Sequence, residues 1–413
     1  MYIRLKNNRL IYIFTFIILF FYLLAPSFNV LNISSSVIVV VFLMPFAFLK
    51  GVSFYITKEM LYIYIFILIL GIYSALGENL IYNLQFDNYP FSFFKIAINN
   101  IIFIIFSISL FLLFKFRLSF ENLLMIIVAV SLLNSILILV SFGESGFRDL
   151  LESLLVQKES SNIDYSKGFR LRGLAAAGGF GLAVFNLISS VSLIFLYINN
   201  KINLYPTTFI LVLILLSQFF LARTGLIIGI VILFFFFMSV LFSKKDKLNL
   251  LIIFLMLFLL LTSVYSLFED EIRPMLPWAL ELYYNFAEGK GLRTNSSDDL
   301  MTMFNVPSDL KRLILGFGFY ESAAEYRSDS GYIKTLYSVG VLGILIYAVH
   351  SIILFILLPT RHPKYKYYYY ILGSIMLIVE VKGPVFYQNY TGRVLILIYV
   401  WSFLSYKKNK LII

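Results

Sequence analysis

The chain alternates long apolar runs with short polar breaks. About twelve of these runs are long enough to cross a ~30 Å hydrocarbon core. They fall near 10–25, 30–49, 60–76, 96–114, 122–142, 174–198, 206–222, 225–242, 248–267, 332–358, 367–383 and 385–405. They lack the two-residue alternation of barrel strands, and a backbone in lipid must satisfy its own hydrogen bonds, so the pattern predicts helices. The pairs 206–222 with 225–242 and 367–383 with 385–405 are the least well separated. The first run follows the basic stretch 1–9 with no small-residue cleavage site, which predicts a retained span. The expectation is an all-α, polytopic membrane protein forming one integral domain over 1–413.

Composition sharpens this. The 413 residues are 61% hydrophobic and 13% charged, about half the charge a soluble domain carries. That excludes a soluble enzyme, and the spread of apolar runs excludes a single-span receptor. The net charge of +11 suggests nucleic acid only until the charges are placed. With the N-terminus in the cytoplasm, the cytoplasmic segments hold 17 Lys and Arg against three acids, a net of +14, and the other face is near −3. This is the positive-inside pattern, with both termini cytoplasmic, and it leaves no nucleic-acid partner to explain. Cysteine is absent and there are only two histidines, His350 and His362, so disulfides, thiolate chemistry and a His-rich metal site are not expected.

The polar mass lies on the outer face, in a loop at 143–172 and a large loop at 268–331 between the ninth and tenth runs. An ordinary two-repeat carrier tends to place its long connection inside. Chemistry or recognition is therefore expected outside. Tyr367–Tyr370 sits at a run end, where an aromatic belt belongs. No internal repeat, heptad pattern or low-complexity linker is visible.

Four clusters carry candidate chemistry. Arg170 and Arg172 precede the Gly- and Ala-rich start of the 174–198 run. A helix N-terminus beside arginines suits a phosphate, whereas the plain alternative is two interfacial arginines before a closely packed helix. Arg223 lies between two apolar runs in Ala222-Arg223-Thr224-Gly225, and either snorkels to the headgroups or faces a cavity. In the large loop, Ala279–Ala287 reads as a short amphipathic helix, and Ser297 reads as the N-cap of a second, followed by Asp298 and Asp299. Arg327 and Asp329 follow, just before the 332–358 run; Asp329 reads as a membrane-mouth acid or as that helix's N-cap. Finally, Glu380, Lys382 and Arg393 sit at the outer ends of the last two runs, where an ion pair of Glu380 with Lys382 or Arg393 is expected.

These pieces, in this order, resemble the O-antigen polymerase/O-antigen ligase superfamily, most closely its Wzy-type polymerases. The resemblance rests on Arg170 and Arg172 with Gly173 to Gly181, on Ala222-Arg223-Thr224-Gly225, and on Gly316-Phe317-Gly318, Ser328-Asp329-Ser330-Gly331-Tyr332 and Gly340-Val341-Leu342-Gly343. Arg170 and Gly181 also fit the Arg-x10-Gly pattern of some Wzy proteins. It covers roughly 165 to 350; the first five runs match only as apolar helices. Superfamily ligases carry a His where this chain has Asp329, which favours polymerase over ligase.

The resemblance implies a GT-C-like fold of the bacterial inner membrane and an inverting glycosyl transfer at the periplasmic face, with no cofactor and no metal. Its partners would be donor and acceptor glycans on undecaprenyl diphosphate, the bilayer, and a chain-length regulator of the Wzz co-polymerase type. Arg170, Arg172 and Arg223 would clamp diphosphate. Asp329 would act on the acceptor hydroxyl, with Arg223 as its catalytic companion at the leaving group. Arg327 and Arg393 would contact diphosphate or glycan. An O-antigen ligase-like transferase and a lipid-linked oligosaccharide flippase are the alternatives.

Overall fold

The computed structural model describes residues 2–30, 33–49, 58–76, 92–114, 118–156, 170–242, 262, 265–266, 269–273, 276–291, 293–317, 328–386 and 389–411. The expected span at 248–267 lies almost wholly outside these, and so does Arg327. About 80% of the structure is helical, and no strand occurs among the described residues.

The helices are α1 (Tyr2–Leu24), α2 (Ser35–Leu49), α3 (Lys58–Leu76), α4 (Ser92–Leu113), α5 (Phe120–Gly143) and α6 (Ser145–Leu154). Then come α7 (Phe180–Ile198), α8 (Leu204–Gln218) and α9 (Arg223–Phe242). Five short helices follow: α10 (Glu269–Ile272), α11 (Leu276–Ala279), α12 (Glu281–Ala287), α13 (Asn295–Thr302) and α14 (Leu310–Leu315). The last group is α15 (Gly331–Val339), α16 (Ile344–Ser351), α17 (Leu358–Arg361), α18 (Lys366–Glu380) and α19 (Asn389–Leu411).

Among the described residues, five stretches are long and apolar enough to cross a membrane: Phe93–Leu113, Phe120–Gly143, Phe180–Ile198, Arg223–Leu241 and Gly331–Arg361. α9 shows why they belong in lipid. Ile230, Phe234 and Phe235 are each more than half exposed, while Phe236 and Val240 are buried. A helix apolar on its covered and uncovered faces alike has no place at a water interface. The chain is an all-α membrane protein.

It forms two compact units. The first comprises Met1–Leu23, Ser35–Leu123 and Leu300–Ile413; the second comprises Leu24–Ser34 and Leu124–Asp299. In the first, α4 is the centre, with α2, α3 and α19 packed against it. In the second, α7, α8 and α9 pack on one another. A buried polar seam joins α5, α7 and α8. Ser131 Oγ donates to Asn186 Oδ1 (2.8 Å), Asn186 Nδ2 to Ser217 Oγ (3.2 Å), and Ser217 Oγ to Ser135 Oγ (3.0 Å). Between helices in lipid such bonds fix register, since apolar contact alone does not distinguish neighbours from lipid.

Two expected elements differ. The 174–198 run is helical only from Phe180, because Arg172 ties the preceding segment down as a folded loop. The 332–358 run does not continue as one rod. α15 ends at Gly340 (φ +63), and a 3-10 turn over Gly340–Gly343 redirects the chain. Tyr347 Oη consequently reaches the Gly331 carbonyl at 3.0 Å, although 16 residues of straight helix would separate them by ~24 Å. At the bend the backbones of Gly316 and Gly340 touch. A Cβ on Gly340 would lie 2.2 Å from Ile314 O, and one on Gly316 would lie 2.5 Å from Gly340 N. The loop ending in α14 is thereby pinned to the far end of α15.

Gly225 and Gly229 let α9 approach its neighbours. A Cβ on Gly225 would stand 2.8 Å from Ala183 Cβ and 2.3 Å from Gln218 Oε1. Gly225→Val is expected to destabilise the chain by about 1–3 kcal/mol through overpacking, read as a lowered unfolding midpoint in detergent.

Candidate functional site

In the second unit, Arg170, Arg172 and Arg223 occupy three different environments. Arg172 is 2% exposed. Its Nε donates to both carboxylate oxygens of Glu152 on α6 (3.1 and 3.0 Å), and its Nη2 also pairs with Glu152. Its Nη1 donates to the carbonyls of Val156 and Ala176, both at 3.2 Å. Asn134 on α5 brackets the next turn, donating to Arg172 O (3.3 Å) and accepting from Leu174 N (3.0 Å). Arg172 thus organises the loop from within. The helix N-terminus expected beside it is eight residues away, at Phe180.

Arg170 lies two residues earlier and is exposed. Its backbone is left-handed, at φ +55, a conformation that costs a non-glycine residue roughly 1–2 kcal/mol. Arg223 opens α9, is 19% exposed and pairs with Glu281 at the start of α12. The other oxygen of Glu281 accepts from Asn295 N (2.8 Å) at the start of α13. One carboxylate therefore joins three helix beginnings. Arg170 is within electrostatic reach of Arg223, whose nearer partner is Glu281. α13 is capped by Thr294 rather than by the expected Ser297: Ser297 N donates to Thr294 Oγ1 (3.1 Å) and Thr294 N donates to Ser297 Oγ (2.8 Å). This is a reciprocal capping box, and it places Ser297 inside the first turn.

In the first unit, Asp329 is exposed between the buried Ser328 and Ser330. Ser330, not Asp329, holds the N-cap position of α15, and its side chain makes no cap bond. The carboxylate of Asp329 is therefore not consumed by capping. A buried hub fixes the segment that carries it. Tyr347 Oη lies 3.0 Å from Gly331 O, 3.0 Å from Glu380 Oε1 and 2.7 Å from Thr335 Oγ1. Glu380 Oε2 accepts from Val385 N (2.7 Å), and a Cβ on Gly331 would stand 2.1 Å from Glu380 Oε1. The expected ion pair of Glu380 with Lys382 or Arg393 is not made, because a tyrosine hydroxyl and backbone N–H groups already solvate this carboxylate. Tyr347 carries no signal in a single sequence, since its partners are 16 and 33 residues away.

Arg393, on α19, is 7% exposed. Its Nη1 donates to Tyr22 O (2.8 Å), and its guanidinium lies 5.5 and 5.1 Å from the ring centres of Tyr22 and Phe103. Its Nε is buried without a partner. It makes no carboxylate contact among the described residues. Thr391 Oγ1 binds Val385 O, so the chain leading into Arg393 is anchored to the turn that feeds Glu380. Within this unit stand an exposed acid, a hydrogen-bonded hub behind it and a buried cation with no carboxylate among the described residues.

Compared with known protein families, curated proteins and solved structures, the chain matches none.

Removing one partner of a buried ion pair strands the other. Glu152→Ala and Arg172→Ala are each expected to cost about 3–5 kcal/mol. Their combination should cost clearly less than the sum, and a double-mutant cycle of detergent unfolding checks this.

Proposed function

We propose that this chain is a Wzy-type polymerase. It would join oligosaccharide repeat units carried on undecaprenyl diphosphate at the periplasmic face of a bacterial inner membrane. In this reading about twelve spans cross the bilayer, both termini are cytoplasmic, and the loops at 143–172 and 268–331 are periplasmic. The observation that carries it is Arg393. A guanidinium 7% exposed in a helical membrane body, with one unpartnered nitrogen and no carboxylate among the described residues, is several kcal/mol out of balance. An anionic ligand restores that balance. Arg170 and Arg223 support the same class of substrate, since an exposed guanidinium near a second one suits a diphosphate.

The chemistry assigned to these residues is one displacement. The acceptor hydroxyl attacks the anomeric carbon of the growing chain from the face opposite the diphosphate. The new C–O bond forms as the bond to the diphosphate oxygen breaks, inverting the centre. The hydroxyl proton passes to Asp329, an exposed carboxylate able to receive it. The departing undecaprenyl diphosphate takes the electron pair, and Arg223, with Arg170, offsets the charge that grows on it. Arg172 serves by holding the loop that presents Arg170, and Arg327 and Arg393 contact diphosphate or glycan.

The test is the polymer ladder of a deletion strain complemented at equal protein level. Asp329→Asn, Arg223→Ala and Arg393→Ala should each cut polymerisation by about 10²–10³-fold, as for loss of one group acting on developing charge. A normal ladder from all three overturns the reading. Single-unit glycolipid trapped on the inner leaflet in the deletion strain would mean a flippase. Loss of all surface glycan, with no single unit retained, would mean a ligase.

A further inference from the structure

A cavity lies in the first unit, apart from the residues assigned above. It has a volume of about 240 Å³ and is lined by Asn305, Ser308, Asp309, Arg312, Phe317 and Tyr337, among others. Its walls are tied together. Tyr337 Oη donates to Asn305 O (2.6 Å), and the rings of Phe317 and Tyr337 meet edge to face at 5.9 Å. Its rim is polar and open. Asp309 and Arg312 lie 3.6 Å apart, with side chains 53% and 42% exposed, and the guanidinium of Arg312 stands over the Phe317 ring at 5.2 Å.

The lining selects a ligand class. Asp309 and Arg312 cancel in charge, so the cavity does not favour an anion. Val306 and Pro307 complete the lining, so four of its eight residues, Asn305, Ser308, Asp309 and Arg312, are strongly polar, and a purely hydrocarbon tail would leave their groups unpaired. A carboxylate that accepts, a guanidinium that donates, an amide and a hydroxyl that do both, and aromatic rings beneath them match a ring whose edge carries hydroxyls and whose face is apolar. The volume is below that of a drug-sized pocket and fits one such ring.

The position is equally specific. Tyr337 is on the same helix, α15, that begins just after Asp329. Six residues of helix place it ~9 Å along from the helix start that follows that acid. A glycan whose reacting end is at Asp329 would come within reach of this cavity within a few rings.

We propose that the cavity is a subsite for one neutral sugar ring of the growing chain. This rests on the polymerase reading and adds to it where the polymer is held between transfers. The open rim decides for the growing chain: that strand continues outward into water, whereas the acceptor is short and tethered to lipid.

The test uses the full-length chain in detergent and, as probe, polysaccharide released by mild acid from the host's own polymer. Saturation-transfer NMR should detect binding, and Arg312→Gln should weaken it about tenfold, the loss expected for one or two hydrogen bonds to a charged group. Asp309→Asn keeps an oxygen for the α14 cap and should act in the same direction, with the unfolding midpoint unchanged. In cells both variants should shorten the ladder without abolishing it. If neither variant alters binding or ladder length, or if the unsubstituted chain binds no released polymer, the subsite is wrong. When Asp329→Asn still abolishes the ladder in that case, the polymerase reading stands. If Asp329→Asn, Arg223→Ala and Arg393→Ala all leave the ladder intact, the parent reading fails and the subsite falls with it.

Discussion

A guanidinium drawn into an apolar helical body must find something to neutralise it, and much of this structure follows from how that is done. Arg172 takes a carboxylate and two carbonyls and becomes the internal scaffold of the loop before α7. Arg223 takes Glu281 and thereby ties α9 to two short helices. Among the described residues Arg393 finds a carbonyl and two ring faces. The first two arginines each have a carboxylate partner. The third has none among the described residues, which is why the case for an anionic substrate rests on Arg393 more than on the arginines with the more familiar sequence pattern.

The two carboxylates of the first unit divide their work in a similar way. Glu380 is buried and fully occupied by Tyr347 and backbone N–H groups, so it holds geometry. Asp329 is exposed and forms no part of that hub. A carboxylate enclosed by its hydrogen-bond partners cannot reach an incoming hydroxyl, whereas one at the surface can. Rigidity behind and availability in front are complementary, and they meet at the beginning of one helix.

The helical runs were legible because length and apolarity are properties of consecutive residues. Lys58–Leu76, Ser92–Leu113, Phe120–Gly143 and Arg223–Phe242 fall close to where hydrophobicity alone puts them. What escaped depended on partners far away in sequence. Gly173 to Gly179 reads as a close-packing helix start, yet Arg172 holds the chain there as a loop. Glu380 reads as one half of an ion pair because Lys382 and Arg393 are near in sequence, whereas its real partner is 33 residues back. The bend at Gly340 is hidden because apolar residues continue across it. The arginines themselves could be picked out early, since a charge in so apolar a chain is conspicuous, but which of them are neutralised internally is a property of the folded contacts.

The left-handed backbone at Arg170 has a consequence of its own. Glycine would occupy that conformation at no steric cost, so a chain selected for stability alone would drift towards glycine there. Ala25 and Asn200 carry the same backbone cost. If the Arg170 guanidinium acts on substrate, stability and use pull in opposite directions at that position, and gain in one is loss in the other.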